Sequence, residues 1–202
     1  VFEDLRKKPA LKMHKSFGDT RLAHLLFKII APVMESRLRY RFFNPIMSLK
    51  AGGVQPGQVI LEVGPGTGFF TLPAARLVGD EGLMVAIDPH PLAIEQVVKK
   101  VQDARLTNVR LIKSDATRCG LSSASIDLIL LYGVIPSPTL PLERLLPEMH
   151  RVLRPEGMLA VWTAFPWWSP TSLPKDGLFA YIRKEASVHT FKRITGSSVE
   201  AI

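Results

Sequence analysis

Cysteine is almost absent from this chain: Cys119 stands alone among 202 residues, which excludes a disulfide framework and a multi-cysteine metal site. No metal is expected. Long apolar runs are missing as well, since the stretch Leu22 to Met34 is broken by His24 and Lys28 and is too short to span a bilayer as a helix. Basic residues flank it and no small-residue cleavage site follows, so no secretory leader is recognised and a reducing cytoplasm is the expected compartment. Repeats and low-complexity tracts are absent too. What remains, 47% hydrophobic and 22% charged residues, is enough to close one sizeable core.

Charge is spread unevenly. Residues 1–50 hold 11 Lys/Arg against 4 Asp/Glu, a net of +7, whereas residues 51–202 are nearly balanced at +1. A basic segment of this kind is either a solvated helical face or a surface for something anionic, whether nucleic-acid phosphates or lipid headgroups. Within it, Asp19 is placed to cap a helix through Ile30, and Pro32 separates that helix from a second one over Val33 to Phe42.

The run Val59-Ile60-Leu61-Glu62-Val63-Gly64-Pro65-Gly66-Thr67-Gly68 is an apolar strand ending in an acid and then a turn of alternating glycines. Glycine there permits positive φ and lets a ligand approach the backbone, and the helix expected over Phe69 to Val78 aims its free N–H groups at the same crevice. Further apolar strands follow. Leu83 to Ile87 ends in Asp88-Pro89, Val109 to Lys113 ends in Ser114-Asp115-Ala116, and Ile126 to Leu131 ends in Tyr132-Gly133. Asp88 lies 22 residues after Gly66, where an open α/β sheet places an acid for ribose hydroxyls. The nicotinamide fingerprint wants a third glycine where this chain has Phe69, so a different nucleotide cofactor is expected.

Glu62-Val-Gly-Pro-Gly-Thr-Gly68, with Asp88, Asp115 and the stretch Glu148 to Gly157 in order, resembles the class I S-adenosylmethionine-dependent methyltransferases, most closely their ubiquinone/menaquinone-type small-molecule branch. The resemblance covers about Asn44 to Phe165. It implies a Rossmann-like seven-stranded, mostly parallel sheet with an antiparallel last strand and helices on both faces. It also implies S-adenosylmethionine as cofactor. Glu62 and the turn Gly64, Pro65, Gly66, Thr67 and Gly68 would hold its amino-acid portion, Asp88 with Pro89 its ribose, and Asp115 with Ala116 its adenine amine. Tyr132 would sit nearest the methyl group. Asp88 and Asp115 have an alternative use as caps of the helices that follow them.

The domain is expected over residues 44–195, with a basic arm or lid over 1–43 and a tail over 196–202. Asn44-Pro45 reads as an N-cap and first-turn proline, and Tyr40, Phe42 and Phe43 are expected to face inward. Pro91 to Ala104 and Leu140 to Leu153 supply helices, Met158 to Phe165 a fifth strand, and Leu178 to Arg183 with Val188 to Ile194 an antiparallel pair. Three prolines in Pro166 to Pro174 rule out a regular helix where the resembled fold has one. That leaves Trp167 and Trp168 either to cover the sheet or to meet a substrate.

No catalytic residue can be named. A general base is required only for hydroxyl or acidic-carbon acceptors. His90 is expected to flank the adenine, His150 reads as a satisfied histidine, and His189 is expected to lie far from the pocket. The polar-Pro-Pro-aromatic turn that grips a flipped base is missing from Leu131 to Pro136, and Cys119 alone does not fit cysteine-dependent chemistry. Three readings follow: methylation of a small, lipophilic acceptor with the arm docking at an anionic membrane surface, RNA modification with the arm on phosphates, and cofactor binding without turnover. Oligomeric state is not encoded in these features.

Overall fold

The computed structural model describes residue 29 and residues 43–163, 167–171, 173 and 177–195. The two helices expected before Phe42 therefore lie outside the described residues, apart from Ile29, as do Tyr40, Phe42 and the tail.

The described chain opens with helix α1 (Pro45–Ala51), capped by Asn44, whose side chain accepts from the amides of Ile46 and Met47. Strand β1 (Val59–Val63) follows and is buried along its whole length, as a strand covered on both faces must be. Helix α2 (Thr71–Val78) starts two residues later than the sequence pattern suggests and ends at Gly79, which takes φ +68°. Strand β2 (Leu83–Asp88) is also wholly buried. Helix α3 (Pro91–Asp103) begins with proline in its first turn, where the missing N–H costs nothing. Strand β3 (Val109–Lys113), a short 3-10 turn (Ala116–Arg118), strand β4 (Ile126–Tyr132) and helix α4 (Leu142–Val152) come next.

Strand β5 spans Leu153–Trp162, beginning earlier than the expected Met158 because Leu153 already pairs with Ile126 across a register shift. Strands β6 (Phe179–Glu185) and β7 (Val188–Arg193) form the closing hairpin. The described residues between β5 and β6 contain only a 3-10 turn, as the prolines require.

All seven strands form one sheet in the order β3-β2-β1-β4-β5-β7-β6. β7 is antiparallel to both of its neighbours, and the other pairings are parallel. The order reverses between β1 and β4, and a crevice beyond the carboxyl ends at that switch point is where open α/β sheets take their ligands. One face packs Leu145, Leu146, Met149 and Val152 of α4 against Leu61, Val85, Ile129 and Val161. The opposite face packs Leu49 of α1 and Ala74, Ala75 and Val78 of α2 against Ile60, Met84, Leu130 and Ala160. α3 lies against β2, β3 and α2. The seven-stranded layered architecture expected from the sequence is the one observed.

Candidate cofactor crevice

The site is built from strand ends. Pairing places Glu62 beside Ala86 of β2 and Leu130 of β4, one residue before β1 gives way to the glycine turn. The Glu62 carboxylate is only 2% exposed, and Thr71, the first residue of α2, donates its hydroxyl to Oε2 at 2.6 Å. Burial pushes the Glu62 carboxyl up to about 7, opposed by the Thr71 hydrogen bond and reinforced by the negative charge of Asp88. Asp88 closes β2 and is likewise buried. Its Oδ1 accepts from the His90 amide at 2.8 Å, and burial raises its carboxyl to about 6 against the opposing hydrogen bonds from the amides of His90 and Gly66.

The turn between them is held in left-handed conformations, with φ +68° at Gly64, +55° at Gly66 and +84° at Gly68, which side chains tolerate poorly. At Gly64 space decides as well: a Cβ there would lie 2.5 Å from Cγ1 of Val134, beyond the end of β4. The turn's amides are largely used within the protein. The Gly64 amide donates to Ile87 O at 2.9 Å, the Gly68 amide to Pro65 O at 2.8 Å, and the Gly66 amide to Asp88. These glycines therefore give the turn its shape and close it on itself. Behind it, Lys100 of α3 donates to Thr67 O at 2.7 Å.

The remaining sequence-predicted residues divide into two groups. Pro89 links Asp88 to His90, the residue that precedes α3, so it sits on the crevice rim. Asp115 is exposed and caps the 3-10 turn, its Oδ1 accepting from the amide and hydroxyl of Thr117, while Ala116 is buried beside it. Tyr132 is buried on the α1 side of the sheet. Its hydroxyl donates to Ser48 O at 2.9 Å, and its ring meets that of Phe70 edge-on at 4.9 Å. Burial, then the charge of Glu62, pushes its phenol well above the ordinary range. The residue at the end of β4 thus presents a tethered side chain to α1.

Sequence reasoning missed an aromatic group at the same end of the sheet. Phe69 and Phe70 follow the glycine turn, with ring centroids 5.0 Å apart and perpendicular. Phe43 packs on Trp162, the last residue of β5, at 4.9 Å, and on Phe70 at 5.9 Å. The signal was present as Phe69-Phe70 and Trp162, but only pairing of Tyr132 with Trp162 brings them together. His189 pairs with Val161 near the carboxyl end of β5, on a strand two removed from β4. Burial and the nearby Lys184 lower its pKa, and its Nδ1 has no hydrogen-bond partner among the described residues. His150 is tied to Ile194 O at 2.7 Å. Cys119 is buried and its thiol, raised by burial to about 12, donates to Glu148. Glu148 and Arg151, from the motif before β5, join α4 to the loop after β3 through Cys119 N and Leu121 O.

Two buried acids beside a glycine turn suit a ligand that carries a cationic group and a vicinal diol. Among the described residues no His/Cys/Asp/Glu group suited to a metal ion is found.

A family model described as a methyltransferase domain matches residues 60–157. The chain is 34% identical over 105 residues to aklanonic acid methyltransferase DauC of Streptomyces sp. (strain C5), covering 50% of this chain and 48% of the relative. It is 31% identical over 135 residues to the ubiquinone/menaquinone biosynthesis C-methyltransferase UbiE of Teredinibacter turnerae, covering 61% and 54% respectively. The chain thus spans about half the length of these relatives. Among solved structures, a SAM-dependent methyltransferase from Aquifex aeolicus superposes with a TM-score of 0.68 at 24% identity, over 81% of this chain and 95% of that one. Geranyl diphosphate C-methyltransferase from Streptomyces coelicolor A3(2), solved with S-adenosyl-L-homocysteine, also reaches 0.68, at 10% identity over 80% and 79%. Family model, strand order and glycine turn agree: residues 60–157 match a methyltransferase domain, and the sheet around them has the fold of the S-adenosylmethionine-dependent methyltransferases.

Proposed function

We propose that the protein transfers a methyl group from S-adenosylmethionine to a small, apolar acceptor. The cofactor supplies an activated sulfonium methyl, so the protein has mainly to align an acceptor atom with it and keep water out. In this reading Glu62 and the turn Gly64 to Gly68 hold the amino-acid portion. Asp88, with Pro89, holds the ribose hydroxyls, and Asp115 with Ala116 the adenine amine. Asp115 can do so while capping its turn, because both of its observed bonds land on Oδ1.

The observation that carries the acceptor class is an aromatic group in which Phe69, Phe70 and Tyr132 are buried while Phe43 and Trp162, packed against them, are only half-buried. It borders the glycine turn and the carboxyl ends of β4 and β5, where the half-buried rings of Phe43 and Trp162 suit a planar or isoprenoid acceptor. The relatives named for aklanonic acid and for ubiquinone and menaquinone biosynthesis support the same class. Phe43 enters this group from the segment before α1, which supports residues 1–43 as an acceptor-side element. Their basic charge then suits an anionic membrane surface as the source of a lipophilic acceptor. No helix among the described residues is long and apolar enough to cross a membrane.

The test is methyl transfer from labelled S-adenosylmethionine to a panel of quinols, phenols, prenyl compounds and RNA. Transfer to an apolar small molecule is expected, weakened through KM by Trp162→Ala with cofactor affinity unchanged. Transfer to RNA alone, with steeply salt-dependent binding, would replace this reading with a nucleic-acid one.

A further inference from the structure

Helix α3 touches the glycine turn from behind at two points on one face. A Cβ at Gly68 would meet Cγ2 of Val97 at 3.3 Å, and three residues on, where a helix returns to the same side, Lys100 Nζ donates to Thr67 O at 2.7 Å. Thr67 itself is buried. The peptide between Thr67 and Gly68 is thereby fixed at both ends, its carbonyl on Lys100 and its N–H on Pro65 O at 2.8 Å. The same helix starts immediately after Asp88, whose carboxylate accepts the amide of His90, the α3 N-cap. One rigid element of 13 residues therefore reaches from the acid at the end of β2 to the turn at the end of β1.

We propose that Lys100 is a positioning residue for cofactor binding: its ammonium holds the Thr67–Gly68 peptide so that the turn is shaped for the amino-acid portion of the ligand before the ligand arrives. A charged donor on a carbonyl is stronger than a neutral one, and a preformed turn spares the ordering cost that a loose one would impose on binding. Lys100 touches no ligand in this scheme. It acts through Thr67. The proposal rests on the reading that the turn grips the amino-acid portion.

Two probes separate the parts of the ligand: S-adenosylhomocysteine, which carries the amino-acid portion, and 5′-methylthioadenosine, which lacks it. Calorimetry on wild type, Lys100→Met and Lys100→Arg is expected to give a preference for S-adenosylhomocysteine in wild type. In Lys100→Met that preference should fall about tenfold, about 1.4 kcal/mol, with 5′-methylthioadenosine affinity unchanged. Lys100→Arg should restore most of it, since it keeps a charged donor.

If wild type discriminates and Lys100→Met discriminates equally well, the positioning role is overturned. Equal losses for both probes, tracking a drop in melting temperature that Lys100→Arg does not repair, also overturn it by making Lys100 a general structural residue. If wild type itself does not tell the two probes apart, the turn does not hold the amino-acid portion, and the underlying assignment fails instead.

Discussion

Thr71 donates its hydroxyl to Glu62 across 2.6 Å of buried space, joining the first residue of α2 to the acid at the end of β1. The bond fixes the carboxylate's direction and offsets part of the cost of burying it. Thr71→Val keeps the shape and removes the donor. A buried hydrogen bond to a charged group contributes about 1.5–3 kcal/mol, so cofactor affinity should fall roughly tenfold or more, while the apo fold, free to protonate Glu62, loses less. Calorimetry with S-adenosylhomocysteine and urea denaturation of the apo protein check the split.

The raised acids give a pH dependence of definite sign. Folded Glu62 titrates at about 7 against 4.5 unfolded, and folded Asp88 at about 6 against 3.8. Through those windows the folded apo protein holds more protons than the unfolded chain, so these groups' contribution to stability is full below pH 4 and is lost as pH rises towards 7. Each contributes a slope of at most about 1.4 kcal/mol per pH unit. A cationic ligand favours the ionised acids, so its affinity should rise over the same interval and its binding should release protons near pH 6. Denaturation at a pH series and calorimetry in buffers of different ionisation enthalpy measure the two effects.

Asp88→Ala removes an acceptor used by two amides of its own surroundings, His90 and Gly66, as well as the proposed ribose contact. Cofactor affinity should drop by about 1–3 kcal/mol with the sheet intact. Asp88→Asn should fall between, because it keeps the acceptor oxygen. Affinity unchanged in Asp88→Ala would reduce the residue to a cap for α3.

Tyr132→Phe separates two roles for that residue. Its hydroxyl bonds Ser48 O, which also receives the Gly52 amide at 2.9 Å. The carbonyl is thus not orphaned by the change, and stability should fall by only about 1 kcal/mol with cofactor affinity preserved. A tenfold loss of affinity at constant melting temperature would return Tyr132 to the ligand.

Gly64 and Gly53 offer a controlled comparison of backbone and space. Both have positive φ, +68° and +93°, but a Cβ at Gly53 meets nothing within 4 Å whereas one at Gly64 meets Val134 at 2.5 Å. Ala at Gly53 should cost about 1–2 kcal/mol, and Ala at Gly64 distinctly more. Adding Val134→Ala should recover the excess, a coupling that a double-mutant cycle by denaturation reads directly.

Strands β1, β2 and β4 were legible because each is an apolar run closed by Gly or Asp, and burial on both faces leaves no other use for such runs. Asn44-Pro45 announced α1 through local capping chemistry. The site was legible where function follows chain order, as with Glu62, the glycines and Asp88 at successive strand ends. It was not legible where partners come from register. The Glu62–Thr71 bond depends on α2 starting at Thr71 and not at Phe69, and the meeting of Phe43, Phe70, Tyr132 and Trp162 depends on two strands ending level. The same holds for His189, which is distant along the chain from Val161 yet stands level with it through the antiparallel insertion of β7 beside β5.

That insertion also has a bearing on how the chain can be made. Among the described strands β7 is translated last, yet it sits between β5 and β6. While a ribosome is still delivering residues before Val188, β5 has an outer edge with no neighbour, and β6 has no strand to join. An open edge next to Leu159 and Val161 is a template for association with other nascent chains. Messages truncated before Val188 should therefore yield aggregates in place of a smaller soluble domain, and shielding by a chaperone would be needed until the hairpin's second arm arrives.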